Sequence, residues 1–408
     1  SRTLPDGVLR AIEPRYLEDP RGSFQGHALA LALPRNTEEV AQVLRAAADA
    51  GVGVVPYSGG TGLVGGQLVV DGPPPLVLSM ERMSAIRAIH PEESVMIVEA
   101  GVILKSIQEA AAEHGLLFPL TLASEGTCRI GGNLSTNAGG VNVLRYGNAR
   151  ALCLGLEAVL PDGSIWNGLS RLHKDNTGYD LRDLLIGAEG TLGVITAATL
   201  KLFPQPTSVG TAFFAVPSPA AALSLLSLAR RHVGEAVSAF ELIHEQGLAF
   251  MDTVLPEIRQ PFVQRPQWMV LIEIGLHGTS DAGEALGGIF EAGFEDGLIL
   301  DGVLGTSERQ RLEFWNLREH MPEANRRIGA IASHDVAVPL GNLSDFVDRC
   351  NAAFREMPGL RVNCFGHVGD GNLHYNIFPP EGGAKADFMH LRPQVTRIVH
   401  DTAAALGG

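Results

Sequence analysis

Three glycine-crowded segments in the first half of the chain limit what it can fold into more than any other feature. The first, Pro56-Tyr57-Ser58-Gly59-Gly60-Thr61-Gly62-Leu63-Val64-Gly65-Gly66, directly follows a β-branched run. Glycine lacks a Cβ and tolerates positive φ, so it lets backbone N–H groups approach a phosphate, and Ser58 and Thr61 add hydroxyl donors. A Walker loop needs a Lys after its last Gly; none follows here, which disfavours nucleotide hydrolysis. A Rossmann fingerprint would open a long helix, whereas Leu63–Asp71 reads as a loop running into a strand. Taken alone, the segment also describes a mobile turn.

The second segment, Gly131-Gly132-Asn133-Leu134-Ser135-Thr136-Asn137-Ala138-Gly139-Gly140, sets small residues on both sides of two amides. A large planar ligand can lie against such a backbone and find donors and acceptors on the Asn side chains. The third, Gly187-Ala188-Glu189-Gly190-Thr191-Leu192-Gly193-Val194-Ile195, is a tight turn entering a strand. Three such segments in one unit imply a long ligand with a pyrophosphate in its middle. FAD suits that shape better than a mononucleotide.

At 408 residues the chain exceeds what one core supports, so two or three packed units are expected. The first half alternates short elements: a helix from Thr37 as cap to Gly51, a strand over Val52–Val55, strands at Leu76–Met80 and Val95–Val102, and a helix over Leu104–His114. Prolines punctuate the chain near Leu202–Pro206. Beyond it, strands at Thr211–Val216, Ala236–Ile243 and Trp268–Ile274 and helices at Pro219–His232 and Asp281–Ala292 suggest an antiparallel sheet with helices on one face. Phe250–Gln267, with three prolines, reads as a surface excursion. Helices at Glu308–Glu319 and Leu343–Met357 precede a short strand, a Gly366–Gly371 turn and a strand at Leu373–Phe378. The expected class is α+β: a two-subdomain ligand-binding domain over 1–206, an α+β substrate or cap domain over 207–380, and a C-terminal helix in 381–408 that returns to the first domain.

Residues 56–66, 131–140 and 187–195 together resemble the FAD-binding domain of the vanillyl-alcohol oxidase / p-cresol methylhydroxylase superfamily. The resemblance is strongest to the branch of D-lactate dehydrogenases, D-2-hydroxyglutarate dehydrogenase and the glycolate oxidase D subunit, and it runs from about Leu31 to the C-terminus. It implies that Pro56, Ser58, Gly59, Gly60, Thr61, Gly62 and Leu63 bind the FAD pyrophosphate. It places Pro119, Thr121, Ser124, Gly126, Thr127, Gly131, Gly132, Asn133, Thr136, Asn137, Gly139 and Gly140 along the flavin ring and diphosphate. Glu189, Gly190, Gly193 and Ile195 match positions near the adenosine end. Some members attach FAD to a His in the first loop; none occurs between Pro56 and Gly66, so non-covalent FAD is implied.

His367-Val368-Gly369-Asp370-Gly371-Asn372-Leu373-His374-Tyr375-Asn376 is the second informative stretch. Two imidazoles seven residues apart on a Gly turn can converge on one metal, although two His alone also describe structural histidines. The stretch resembles the H-x-G-D-G-N-x-H of metal-dependent 2-hydroxy acid dehydrogenases, which implies a divalent ion, zinc or similar, on His367 and His374. By the same resemblance Asn376 touches substrate, and Arg318, in Trp315-Asn316-Leu317-Arg318-Glu319, forks onto the substrate carboxylate. A cation beside the hydroxyl would lower its pKa and anchor the carboxylate.

The pattern is not complete. Relatives carry an E-H-G motif past the final helix that supplies a third ligand and a base, and the positions for it would lie beyond Gly408. Hydroxyglutarate dehydrogenases hold the distal carboxylate with a Thr four residues and a Lys fifteen residues after the Arg; here those positions are Pro322 and Ser333. His334, Arg326 and Arg327 are the nearby substitutes. A D-lactate-like substrate is therefore expected before D-2-hydroxyglutarate or D-malate. The alternatives are a metallohydrolase using His367, His374 and Asp370, and a non-catalytic flavin-binding electron-transfer subunit.

Charge narrows the partners. Lys and Arg number 31 against 45 acidic residues, a net −14 that repels phosphate backbones, so nucleic acid is excluded and an anionic substrate needs a local cation. With no NAD fingerprint, the expected acceptor is a quinone, a cytochrome or an electron-transferring flavoprotein; a homodimer is compatible. Cys128, Cys153, Cys350 and Cys364 lack metal or disulfide spacing and read as buried thiols of a reducing compartment. No apolar run reaches the about 20 residues of a membrane span, and the start at Ser1 has no signal pattern. A cytoplasmic protein, at most peripheral to the inner membrane, is the expectation.

Overall fold

The computed structural model describes residues 4–357 and 359–408. They fall into two units, one up to Asn142 and from Tyr146 to Gln205, the other comprising Val143–Arg145 and Pro206–Gly408. The division falls within the proline-punctuated stretch read as a boundary.

The first unit holds two larger sheets and a two-stranded ribbon. β1 (Leu9–Arg10), β2 (Ala30–Ala32), α1 (Thr37–Ala50), β3 (Val54–Tyr57) and β4 (Leu76–Ser79) come first, with strand order β1-β2-β4-β3. β2 and β3 run parallel to β4, the arrangement that a helical crossover such as α1 permits. The stripe Val40, Val43, Leu44 and Ala47 of α1 is buried, and Gly51 closes the helix at φ 65°. The cap is Asn36, not Thr37: Asn36 has the extended backbone of an N-cap and accepts the Glu39 N–H. Thr37 is buried one residue later and donates to Glu157 at 2.6 Å.

β5 (Ile86–His90), β6 (Val95–Glu99), α2 (Leu104–Ala112), β7 (Leu116–Leu117), α3 (Ile130–Ser135), β8 (Cys153–Val159), β9 (Ile165–Gly168), α5 (Leu181–Leu185), β10 (Val194–Lys201) and β11 (Phe203–Pro204) follow, with α4 (Val143–Tyr146) between α3 and β8 in sequence and its first three residues in the second unit; five of the strands form the second sheet. Its antiparallel order is β5-β6-β10-β8-β9, and β7 pairs separately with β11. One apolar core joins both sheets, with Leu78, Val98, Ile107, Leu156 and Leu200 among its buried members. The segment after the first glycines forms no strand: Leu63–Asp71 is irregular.

The second unit contains β12 (Ser208–Val216), α6 (Pro219–Val233), β13 (Val237–His244), α7 (Glu245–Val254), β14 (Trp268–Leu276), α8 (Ala282–Glu295), β15 (Asp301–Leu304), α9 (Glu308–Glu319), α10 (Met321–Ile328), β16 (Ala332–Ala337), α11 (Leu343–Arg355), β17 (Arg361–His367), β18 (Asn372–Phe378), α12 (Lys385–Phe388) and α13 (Arg392–Ala405). Its seven strands form one antiparallel sheet, β15-β12-β14-β13-β17-β18-β16. Alternation along the strands gives the sheet two faces. Phe214, Leu242, Val270, Ile272, Cys364 and Tyr375 lie in the core with buried residues of α6, α8, α11 and α13. The opposite face carries Glu241, Asn363, Phe365, His367, His374 and Asn376.

Three expectations are corrected here. Helices lie on both faces, because α7 and α9 pack against the polar face: Phe250 of α7 meets Phe378 at 4.5 Å between ring centroids, and Phe314 of α9 meets Phe213 at 5.1 Å. The Phe250–Gln267 stretch is not a surface excursion at its start; it continues α7, and Phe250, Met251, Leu255 and Ile258 are buried. The C-terminal helix α13 belongs to the second unit, where Val395, Val399 and Ala403 enter its core and the helix packs on β16 and α11. An apolar residue every fourth position matches that sheet face.

Candidate active site

In the first unit the glycine segments converge. Ser58 Oγ accepts the Gly132 N–H at 3.0 Å, joining the first segment to the second. A Cβ on Gly59 would lie 2.7 Å from the Thr127 carbonyl oxygen, and one on Gly132 would lie 2.8 Å from the Ser58 Cβ. The third segment closes on both: a Cβ on Gly190 would meet Pro56 at 2.8 Å, and the Glu189 N–H donates to the Ser135 carbonyl at 2.9 Å. Gly60 and Gly190 have φ of +67° and +79°, so side chains there would be strained as well as crowded. Glycine is thus required by contacts within the protein itself, with backbone at Gly59 and with the Tyr57, Ser58 and Pro56 side chains at Gly60, Gly132 and Gly190.

The remaining expected residues divide. Gly62, Leu63, Gly126 and Thr127 are exposed, whereas Thr61, Gly139 and Gly140 are half-buried. Thr121 Oγ1 and the Pro119 carbonyl both accept from Asn142 Nδ2 at 3.0 Å, and Thr127 turns back on the Ser124 carbonyl. Thr136 donates to the Gly132 carbonyl at 2.9 Å. Asn137, at φ 48°, spends its Oδ1 on the Arg150 N–H. Gly193 and Ile195 sit deeper: Gly193 is buried within 3.0 Å of the Val159 carbonyl oxygen for an added Cβ, and Ile195 belongs to the apolar core. Asn133 Oδ1 is buried with no hydrogen-bond partner among the described residues. An orphaned acceptor in a wall of glycine backbone fits a polar, planar cofactor, which would relieve a desolvation penalty of about 1–3 kcal/mol.

In the second unit the polar sheet face builds a cluster by register. Glu241 of β13 lies opposite His367 of β17, Phe365 opposite His374 of β18, and Asp335 of β16 opposite His374. The His367 and His374 rings stand 5.6 Å apart at 78°. His367 Nδ1 hydrogen-bonds Glu241, and His374 Nδ1 lies 3.6 Å from Asp335, so both Nε2 atoms are left for another partner. Arg318 of α9 donates through Nε to Glu241 Oε2 at 2.6 Å and places its guanidinium 4.8 Å from the Phe365 ring centroid. Its terminal nitrogens make no hydrogen bond among the described residues. Asn376, buried beside Asn363, donates through Nδ2 to the Asn363 and His374 carbonyls.

Electrostatics follow from this packing. Burial alone would raise the Glu241 pKa, but His367 and Arg318 outweigh it and hold it at about 2. Burial would lower His367, and the contact with Glu241 reverses that into a rise. His374 is pulled down to about 4, first by burial and then by the Arg318 charge, which keeps its imidazole neutral. An imidazole whose Nδ1 is turned to a carboxylate presents Nε2 outward, the orientation in which a divalent ion takes it once deprotonated, so the two His fit a metal. Among the described residues no group of three or more His, Cys, Asp and Glu gathers around one point, so the pair supplies two ligands and no third.

Residues 28–168 match the family described as FAD binding domain, and residues 205–408, half of the chain, match that described as FAD linked oxidases, C-terminal domain. The chain belongs to the FAD-linked oxidases. As a member it is a flavin-dependent oxidoreductase, which leaves the metallohydrolase reading without support. A bovine relative named D-2-hydroxyglutarate dehydrogenase, mitochondrial, is 39% identical over 92% of this chain and 69% of its own length. A Xanthomonas citri protein named D-2-hydroxyglutarate dehydrogenase is 36% identical over 94% of this chain and 80% of its own. A Schizosaccharomyces pombe protein named putative D-lactate dehydrogenase, mitochondrial, is 35% identical over 92% and 73%. Among solved structures, an alkyldihydroxyacetonephosphate synthase has a TM-score of 0.74 at 17% identity, covering 99% of this chain and 78% of that one. A p-cresol methylhydroxylase has a TM-score of 0.67 at 14% identity, covering 91% and 78%. At those identities they speak for the fold alone.

In this FAD-linked oxidase the second unit gathers Arg318, His367 and His374 as the sequence implied, with Asn376 beside them. It does not bring the proposed substitutes for a distal-carboxylate grip there. His334 points to the other face, bonded to the Tyr375 carbonyl at 2.8 Å and within 3.2 Å of Thr396 on α13. Arg327 is taken up by Glu323 and the Val254 carbonyl, and the Arg326 side chain is 78% exposed. Sequence reasoning missed Glu241 altogether. Its signal was a single carboxylate in the apolar run Val237–His244, which cannot be buried unpaired. No helix among the described residues is long and apolar enough to cross a membrane, and all four cysteines are free and buried.

Proposed function

We propose that this FAD-linked oxidase oxidises a short D-2-hydroxy acid, D-lactate-like before D-2-hydroxyglutarate or D-malate, to the 2-oxo acid. FAD, held non-covalently by the glycine segments of the first unit, supplies a hydride acceptor at its N5. A divalent ion on His367 and His374, zinc or a similar one, supplies positive charge that lowers the pKa of the substrate hydroxyl.

The chain's own groups then have defined work. Arg318 offers its two terminal nitrogens as a fork for the substrate carboxylate. Phe365 lies against the guanidinium and limits its rotation. Asn376 keeps Oδ1 for a substrate donor, since its Nδ2 is occupied by backbone carbonyls. The observation that carries the reading is the meeting of Arg318 and His367 on Glu241, which puts an anion clamp beside a pair of imidazoles whose Nδ1 atoms face carboxylates. Support for a substrate without a distal carboxylate comes from Pro322 and Ser333 and from the neutral Asn325, Asn363 and Asn376 nearby. The relatives' names argue the other way, toward hydroxyglutarate, so the substrate choice rests on these side chains.

We infer that electrons leave to a quinone, a cytochrome or an electron-transferring flavoprotein. A quinone would bring the protein to the membrane surface, and the other two would meet it in an aqueous compartment.

Anaerobic mixing of the flavin-loaded protein with D-lactate, L-lactate, D-malate and D-2-hydroxyglutarate tests the reading. D-lactate is expected to bleach the flavin with kcat/KM about tenfold or more above D-2-hydroxyglutarate, and a chelator is expected to abolish bleaching. If no D-2-hydroxy acid reduces the flavin, the proposal fails; if hydroxyglutarate is preferred, the distal-carboxylate argument fails.

A further inference from the structure

Glu241 is wholly buried in an otherwise apolar strand, and each of its oxygens has one cationic or imidazole partner. A buried ion pair of this kind rarely stabilises a fold more than apolar residues of the same volume would. Its value must then lie in what it aims. Oε1 receives the Nδ1–H of His367, which fixes the tautomer whose lone pair is on Nε2. Oε2 receives Nε–H of Arg318, which turns the terminal nitrogens away from the protein's own acceptors. The counterpart for His374 is Asp335, whose side chain is 69% exposed and lies at 3.6 Å, a contact weakened by solvent.

We propose that Glu241 is the positioning residue of this site, one carboxylate that aims a metal-ligating imidazole with one oxygen and the anion-binding guanidinium with the other. Both halves rest on the function proposed above, the substrate half on its hydroxy acid and the metal half on its divalent ion, and the Zn²⁺ isotherm reads the metal half without turnover. Coupling both groups to one buried carboxylate means that metal binding and anion binding share a single geometric reference.

The test uses the flavin-loaded protein, stripped of metal by a chelator, with Zn²⁺ isotherms by calorimetry and KM and kcat for D-lactate with a dye acceptor. In Glu241→Gln the amide offers one acceptor and one donor where two donors must be met, so one partner faces repulsion. The expected result is a Zn²⁺ Kd about 10–100-fold higher and a KM about tenfold higher, with flavin content unchanged. In an Arg318→Ala background the added KM effect of Glu241→Gln should vanish while the Zn²⁺ effect persists. Should Glu241→Gln fail to fold, Glu241→Asp keeps the charge but cannot span both partners, and at least one of the two defects must appear.

A folded Glu241→Gln with wild-type Kd and KM overturns the proposal, as does a lowered melting temperature with both constants unchanged, which is the mark of a merely structural group. Persistence of the added KM effect without Arg318 overturns the substrate half. Should the wild-type protein oxidise no hydroxy acid, the function proposed above falls by itself, and the Zn²⁺ isotherm alone then decides for or against Glu241.

Discussion

His244 ends β13 and caps α7: its Nδ1 accepts the Gln246 N–H at 3.2 Å, and its ring stands edge-on to Trp268 with centroids 4.6 Å apart. An accepting Nδ1 must be unprotonated, and burial pulls the pKa from 6.5 to about 4. Between those values the unfolded chain binds a proton that the folded one refuses, so stability rises with pH across this window and is fully present above 6.5. His244→Asn keeps an N-cap acceptor and removes the titration. Urea midpoints at pH 7 and pH 4 should show the wild type losing about 3 kcal/mol more than the variant; equal losses would show that another group sets the slope. Glu241 marks what residue-level reading could not reach. The run Val-Ser-Ala-Phe-Glu-Leu-Ile-His demands that its carboxylate be paired, but the partners lie 77 and 126 positions away, and only strand register and the docking of α9 bring them together. Arg318, His367 and His374 were legible because their neighbours in sequence carry a motif; Glu241 has none.

At the scale of elements, α9 is held to the sheet by three residues at helical spacing. Arg311 and Trp315 both donate to Glu273 of β14, at 3.1 and 2.6 Å, and Arg318 donates to Glu241 one turn further on. The charge on this helix is thus divided: one face grips the sheet, the other is solvated. Trp315→Phe removes one donor from Glu273 and keeps an aromatic ring, though a smaller one, at this buried position. It should cost about 1–2 kcal/mol in urea unfolding and raise the KM for D-lactate with kcat little changed, because the helix that carries Arg318 is less well fixed. A stability loss with unchanged KM would make the Glu273 grip irrelevant to the site. The long amphipathic helices were legible from period alone. α10 was not, because Pro322 reads as a breaker, yet Pro in a helix's first turn lacks only an N–H that would have no partner there. β16 hid behind Ser333, His334 and Asp335, whose polarity suits a strand with one face toward α13 and the other toward the site.

For the whole molecule, a net charge of −14 makes the approach of an anion unfavourable everywhere except where cations collect, so Arg318 and any ion held by the proposed His367–His374 pair must supply the attraction locally. Both units keep a buried amide oxygen without a hydrogen-bond partner among the described residues. In the second it is Asn363 Oδ1, on a polar face whose ionised Glu241, Arg318 and His367 are paired with one another. The first keeps an orphaned Asn133 Oδ1 and glycine segments with exposed Gly62, Leu63, Gly126 and Leu192. Its deficit should be repaired by FAD: a ligand that binds only the folded state at a hundred times its Kd adds about 2.7 kcal/mol. Hydrogen exchange read by mass spectrometry on flavin-stripped and reloaded protein can localise that gain. Removing FAD should deprotect residues 56–66, 126–140 and 187–193 while leaving β13, β14, β17 and β18 at their loaded-state protection. Protection lost equally across both units would mean that the flavin stabilises the fold as a whole and that the glycine segments are no more dependent on it than the seven-stranded sheet.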